Sequence, residues 1–120
     1  TAHPGENPLW SVGLDGAVQW SWTGPQRIEG LTFSDDGQRL VVGAGDRTTD
    51  DRRDLYGALV FDLSAGDRGG EERLQAYCQT EGPVFFRHAI SADGRVAVAE
   101  HPYQDNDGSI KGHYQVTVLR

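Results

Sequence analysis

The residues best suited to chemistry lie in two long irregular stretches, residues 45–56 and 101–111. Both are rich in aspartate, and long loops on a rigid scaffold are where binding residues usually lie. We therefore predict a binding surface on these loops, with the candidates Asp46, Asp50, Asp51, Asp54, Tyr103, Asp105 and Asp107. The competing interpretation is a solvated surface, because Arg47, Arg52 and Arg53 alternate with the aspartates of the first loop and neutralise them.

The second loop also contains residues that suit a metal ion. Residues 105–109, Asp-Asn-Asp-Gly-Ser, are similar to the middle of a calcium loop, where carboxylates meet a hard cation and glycine allows a sharp turn. Tyr103 stands where a first carboxylate is expected, however, so a plain polar turn is the competing interpretation. Two histidines flank the loop and could form part of a transition-metal site. The weak metal candidates are Asp105, Asp107, His101 and His113.

Aromatic and histidine side chains offer further candidates. Trp20 and Trp22 share one strand face close to Trp10, and two exposed indoles could stack on a sugar or a quinone. The favoured interpretation is that both indoles are packing residues. His88 aligns with Leu31, which favours a hydrogen-bonded imidazole in packed surroundings. We predict no catalytic residues, because the sequence contains no nucleophile triad, phosphate loop or paired catalytic carboxylates.

Charge and cysteine content bear on partners and location. The chain has 11 Lys and Arg against 18 Asp and Glu, a net charge of −7, which repels nucleic acid and anionic lipid. No stretch approaches the ~20 apolar residues of a membrane span. Lys111 is the only lysine, a bias that resembles proteins of extreme halophiles, although a GC-rich genome produces it too. Cys78 cannot form an intrachain disulfide, so the location stays open, with the cytoplasm slightly favoured and a cell surface as the alternative.

Short β-strands joined by turns must position these residues, because the chain has 16 Gly, five Pro and no long helical periodicity. Residues 28–43 and 84–99 each consist of a strand, a Ser-x-Asp-Gly turn and a second strand, and Gly94 follows Gly37 by 57 residues. A unit that recurs at this length usually buries its faces against its neighbours. Further strands are predicted in residues 9–16 and 17–23, around a tight Asp15-Gly16 turn, and in residues 57–66, 74–80 and 112–119.

In letters, the strand order is C-D, A-B-C-D, A-B-C, as in the blades of a β-propeller. Residues 31–43 (LTFSDDGQRLVVG) and 57–63 (GALVFDL) resemble a WD40 or YVTN-type blade, and residues 9–20 (LWSVGLDGAVQW) are similar to the C–D hairpin of quinoprotein (PQQ-like) repeats. The resemblance implies an all-β fold of about two four-stranded antiparallel blades, as a partial propeller or one completed by oligomerisation. We predict a flexible tail over 1–8 and one propeller-like domain over 9–120, comprising a C–D hairpin (9–23), a full blade (28–80) and strands A to C of the next blade (84–119).

The functions that this resemblance implies are broad, because propellers host unrelated functions. We expect a non-catalytic segment that serves as a protein-interaction or ligand-presenting scaffold and needs no cofactor. The alternatives are a fragment of a quinoprotein enzyme with PQQ and Ca²⁺, and a sugar-binding surface domain that uses Trp20 and Trp22. Since two blades cannot close a ring, we expect a protein partner or self-association through open sheet edges, an excerpt of a larger propeller, or closure as a sandwich.

Overall fold

The computed structural model describes residues 7–45 and 55–119, which contain eleven β-strands and one short helix. The strands are β1 (Asn7–Val12), β2 (Val18–Gly24), β3 (Ile28–Phe33), β4 (Arg39–Ala44), β5 (Gly57–Asp62), β6 (Leu74–Gln79), β7 (Val84–Ile90), β8 (Val96–Glu100), β9 (Tyr103–Gln104), β10 (Ile110–Lys111) and β11 (Gln115–Leu119), and the helix is α1 (Gly70–Arg73). The predicted all-β fold is confirmed. Within the described ranges, no helix combines the length and the apolar character that a bilayer crossing requires.

The strands form three antiparallel layers in sequence order. β1 and β2 form a hairpin layer, β3 to β6 form a four-stranded central sheet, and β7, β8 and β11 form a third sheet with β8 in the middle. All the predicted strand segments are confirmed. The hairpin layer already begins at Asn7, inside the predicted tail, and the loop expected to be irregular contains the small β9–β10 hairpin.

A serine side chain fixes the turn between β3 and β4. The Ser34 hydroxyl donates to the Asp36 carboxylate at 2.6 Å and accepts from the backbone N–H of Arg39 at 3.0 Å. The Ser34 N–H donates to the Arg39 carbonyl at 2.9 Å, and Gly37 adopts the left-handed φ of 71° that the turn needs. The strands on either side are thereby held in register.

The corresponding turn between β7 and β8 is one residue shorter. Ser91 repeats the role of Ser34, since its hydroxyl donates to Asp93 and accepts from the N–H of Arg95 at 3.0 Å. Arg95 is therefore the equivalent of Arg39, which it follows by 56 residues, whereas the two serines are 57 residues apart. The repeat step changes by one residue within the turn.

This single residue decides which side chains of the third sheet face the central sheet, because successive strand residues point to opposite faces. With a step of 56, Val96 and Val98 are equivalent to Leu40 and Val42. We call the side of a sheet that points toward the preceding layer its upstream face, and the opposite side its downstream face. Val96 and Val98 lie on the upstream face of the third sheet and pack against the central sheet.

The central sheet is buried on both faces. Its upstream face packs against Trp22 of the hairpin layer and is formed by Leu40, Val42, Leu59 and Phe61. Its downstream face packs against the third sheet and is formed by Val41, Ala58 and Val60. Burial on both sides explains why β4 and β5 are continuous apolar runs.

Two glycines allow the third sheet to approach the central sheet closely. A Cβ atom at Gly30 would lie 2.4 Å from the Phe85 carbonyl oxygen, and one at Gly43 would lie 2.8 Å from the same atom. Beside them, His88 Nδ1 lies 2.6 Å from the Thr32 hydroxyl oxygen. His88 is half-buried and hydrogen-bonded, as predicted, and its burial lowers the pKa of the imidazole.

A buried arginine supports the hairpin layer where Trp20 packs. The Arg73 side chain is only 4% exposed and lies over the Trp20 ring, with its guanidinium carbon 5.4 Å from the ring centroid. The guanidinium donates to the carbonyl oxygens of Arg68 (3.0 Å), Asp62 (3.0 Å), Ser64 (2.8 Å) and Gly66 (2.7 Å). These bonds shape the β5–α1 connection against which the hairpin layer rests.

Candidate interaction surfaces

The connections between strands emerge at two opposite ends of the layers, because neighbouring strands are antiparallel. The turns before β4 and β8 meet at one end, where the Arg39 guanidinium donates to the Ala92 carbonyl at 3.3 Å. The connections that follow β4 and β8 meet at the other end, where the Tyr56 and Tyr103 rings are 5.6 Å apart. We call this second end the loop end, and it holds the second predicted binding loop and the described residues that flank the first.

The first predicted loop falls almost entirely in residues 46–54, outside the described residues. Its four candidates are Asp46, Asp50, Asp51 and Asp54, and their role stays a prediction. Gly45 and Tyr56 flank this segment, and both are buried. The described residues on either side of this segment therefore lie at the loop end.

Tyr103 anchors the second loop instead of projecting from it. Its side chain is 5% exposed and packs edge-on against Tyr56. Tyr103 begins β9 and pairs with Lys111 of β10. The Tyr103 ring thus packs one long connection against the other. Because this ring is buried, any ligand at this loop would contact other residues first.

Asp105 and Asp107 are engaged by the turn between β9 and β10. Asp107 Oδ1 accepts hydrogen bonds from the Ser109 N–H at 2.9 Å and the Ser109 hydroxyl at 2.5 Å, which hold the pKa of Asp107 below its ordinary value. Asp105 Oδ1 accepts from the Asn106 N–H at 2.8 Å. These bonds are typical of a polar turn that closes on itself.

The histidine candidates for a metal site have different surroundings. The His101 ring packs between Phe85, at a centroid distance of 4.9 Å, and Tyr114, at 5.5 Å, whereas His113 is exposed. Within residues 7–45 and 55–119, no three His, Cys, Asp or Glu side chains gather closely enough to hold a metal ion. The structure thus does not join the four candidates into a ligand set.

An aromatic cluster at the loop end was missed by the sequence analysis. It comprises Phe85, Phe86, His101 and Tyr114, with Phe86 66% exposed and Tyr114 79% exposed. Successive residues of a strand point to opposite faces, but both faces of a strand can be covered, as in β4 and β5, so the pair Phe85-Phe86 alone did not show that one ring is exposed. Large exposed rings beside long loops suit contact with another macromolecule.

The tryptophans of β2 serve as docking residues. Trp22 is 5% exposed and meets the Phe61 ring edge-on at 5.5 Å, and Trp20 stacks on the same ring at 5.9 Å. They therefore do not form the pair of exposed indoles that a sugar platform would need. Trp10, on the outer side of β1, is 65% exposed.

An open groove of about 610 Å³ runs between the hairpin layer and β3. Leu31 and Phe33 pair with Val42 and Leu40, so they share the upstream face of the central sheet. The hairpin layer covers that face over β4 and β5, where Leu40 and Phe61 are buried, but leaves Leu31 49% and Phe33 61% exposed over β3. A two-stranded layer thus covers only part of a four-stranded face.

The third sheet leaves its downstream face open. The face is formed by Ala89, Ala97, Ala99, Val116 and Val118, which pair across β7, β8 and β11. Val116 is 74% exposed and Val118 is 55% exposed. Exposed contiguous apolar surface of this kind usually marks an interaction site.

No protein-family model, curated protein or solved structure matches this chain.

A buried carboxylate connects the loop end to the third sheet. Glu100 is 2% exposed and accepts hydrogen bonds from the Gly82 N–H at 3.0 Å, the Gln115 amide at 3.0 Å and the Thr117 hydroxyl. Burial alone would raise the pKa of Glu100, but these bonds outweigh it and hold the pKa below its ordinary value. Because its carboxylate oxygens accept hydrogen bonds from these three donors, we interpret Glu100 as a residue that stabilises the fold.

Proposed function

We propose that this chain is a non-catalytic β-propeller segment that serves as a scaffold for protein interaction or ligand presentation at its loop end. The observation that supports the propeller most strongly is the order of the layers. In chain order the layers have two, four and three strands, which is consistent with C-D, A-B-C-D and A-B-C of successive blades, and β7, the first strand of the third sheet, lies against β3 and β4 of the central sheet. Propeller blades meet in this way, with consecutive sheets stacked around one axis.

The character of the loop end favours binding over catalysis. Asp107 and Glu100 are occupied by backbone and side-chain donors, and Tyr103 is buried. Beside these polar turns, Phe86 and Tyr114 present aromatic side chains to solvent. Aromatic rings beside polar turns supply contact area and hydrogen bonds to a partner without needing a reaction centre.

Site-specific photo-crosslinking tests this proposal. A photoreactive phenylalanine analogue at Tyr114 places the probe on the loop end, and the same analogue at Leu14, a fully exposed residue of the β1–β2 turn, is the matched control at the other end. We expect a discrete crosslinked partner in extracts of the source cell with the probe at Tyr114 and none with the probe at Leu14. Equal patterns from both positions would contradict the proposal.

The rival quinoprotein hypothesis makes a different prediction. Binding of PQQ and Ca²⁺ would raise the melting temperature in the presence of both and would give the absorbance of a bound quinone. We expect neither effect on the intact chain. A calcium-dependent thermal shift together with bound-quinone absorbance would replace the scaffold proposal.

A further inference from the structure

The open downstream face of the third sheet has a buried counterpart in the same molecule. Across the paired strands, Val116 and Val118 occupy the places of Ala58 and Val60 in the central sheet, because Val118 pairs with Ala97 as Val60 pairs with Val41. Ala58 is 0% exposed and Val60 is 7% exposed, since the third sheet covers them. The repeat therefore builds a face for a further layer, and in the third sheet that layer is missing from the described residues.

The hairpin layer has an open apolar face at the opposite side of the stack. Leu9 and Ser11 pair with Trp22 and Trp20, which pack on the central sheet, so the alternating residues Trp10 and Val12 point away from it. Trp10 is 65% exposed and Val12 is 52% exposed. This outer side is therefore the upstream face of the hairpin layer. Inside the molecule, the upstream face of the third sheet packs on the downstream face of the central sheet, so faces of these two kinds fit each other.

The two open faces match in width. In the third sheet, Arg87 of β7 replaces Gly30 and Ala99 of β8 replaces Gly43, so the close approach seen between the inner layers cannot recur beside β7. A covering layer must lie over β8 and β11, a strip two strands wide. The hairpin layer is two strands wide, and over the central sheet it leaves β3 uncovered in the same way.

The charges of the two faces also permit contact. A chain of net charge −7 repels its copies wherever acidic residues face each other. Over β8 and β11 the downstream face is formed by alanines and valines, and the outer side of β1 presents Pro8, Trp10 and Val12. These uncharged strips are surfaces on which two copies can meet without opposing carboxylates, and the small side chains of Ala97 and Ala99 leave room for an indole ring.

We infer that copies of this chain associate head to tail, with the downstream face of the third sheet in one copy packed against the outer side of β1 and β2 in the next. The inference deepens the proposed scaffold function, on which it rests, by naming a second copy as the partner. Because the two surfaces differ, the contact is heterologous, and repetition produces a ring or an open chain of copies.

Two single variants and their mixture test this arrangement by light scattering coupled to size exclusion. Val118→Lys removes one face and Trp10→Lys removes the other, and both positions are exposed in a single copy. We expect the unmodified chain to exceed its monomer mass of 13.1 kDa, each variant alone to remain monomeric, and the equimolar mixture to form 1:1 dimers through the two intact faces. Leu14→Lys, on the exposed β1–β2 turn, should assemble like the unmodified chain.

Several outcomes would overturn the inference. A monomeric unmodified chain at every concentration, or an equimolar mixture that stays monomeric, excludes the head-to-tail contact. Dimers of Trp10→Lys alone would indicate that two downstream faces pair with each other instead. Melting curves confirm that the variants fold, and if one does not, Val118→Ser or Trp10→Ser replaces it with the same expected pattern. None of these outcomes alters crosslinking at Tyr114, so failure here is distinguishable from failure of the proposed scaffold function.

Discussion

The central and third sheets present the same repeat in two different environments. Val60 in the central sheet is 7% exposed, while its equivalent in the third sheet, Val118, is 55% exposed. Gly43, against which the Phe85 carbonyl rests, is replaced by Ala99 on the open face. Substitutions at equivalent positions should therefore change the free energy of unfolding by different amounts. Comparing matched pairs of substitutions separates the effect of the repeat from the effect of burial.

The largest difference is expected for Gly43→Val against Ala99→Val. At Gly43 a side chain would collide with the Phe85 carbonyl and the His88 ring, and overpacking at a rigid interface destabilises by about 3 kcal/mol. Ala99→Val adds methyl groups on an open face and should change the free energy of unfolding by less than about 0.5 kcal/mol. Urea denaturation measures both, and equal losses would show that the two faces are alike.

Removal of methyl groups should show the same contrast on a smaller scale. Val60→Ala leaves a cavity between the central and third sheets and is expected to cost about 2 kcal/mol. Val118→Ala should cost less than about 0.5 kcal/mol in dilute solution, where copies are separate. A Val118→Ala loss as large as that of Val60→Ala at low concentration would place Val118 in the interior.

Glu100 distinguishes the third sheet by charge, because its equivalent in the central sheet is the buried Ala44. Glu100→Gln is expected to cost about 1.5 kcal/mol at neutral pH through weaker bonds to the Gly82 N–H and Thr117. The folded-state pKa of Glu100 is lowered, so its stabilising effect is present above the ordinary value of 4.5 and is lost as the pH falls through the folded pKa.

Denaturation of the unmodified and Glu100→Gln chains from neutral to acidic pH measures this effect. The stability difference should shrink at acidic pH, and Thr117→Val should reproduce part of the neutral-pH loss. A difference that stays constant across the pH range would mean that the Glu100 charge contributes nothing.

The smallest contrast is expected between the two serine turns. Ser34 is 5% exposed and Ser91 is exposed, although both make the same bonds. Ser34→Ala should destabilise by about 1 kcal/mol and Ser91→Ala by about 0.5 kcal/mol, because water replaces a lost bond more easily at the exposed turn. Thermal melting with matched buffers measures both, and a reversed order would show that turn burial does not govern the loss.

The strands and turns were accessible from the sequence because local patterns specify them. The two Ser-x-Asp-Gly turns and the alternating or continuous apolar runs located every predicted strand. It was harder to predict which residues of β8 face the central sheet. Val96 and Val98 alternate with Ala97 and Ala99, and either set is apolar enough to face inward. Only the bonds of Ser91 to Arg95 reveal the shorter turn that selects the valines.

The candidate site depended on contacts that are distant in sequence. Tyr103 was expected in a binding loop, but its burial results from Tyr56, which belongs to the other long connection. Likewise, the cluster of Phe85, His101 and Tyr114 forms only when three separate segments meet. Spacing within one segment contains no information of this kind.

Methyl NOEs in the intact labelled chain test the layer arrangement most directly. The central claim is that the third sheet turns Val96 and Val98 toward Val41 of the central sheet and turns Val116 and Val118 away from it. We expect NOEs between the methyls of Val41 and Val98, and none from Val118 to any residue of the central sheet. NOEs from Val118 to Val41 or Val60, with none from Val98, would contradict it.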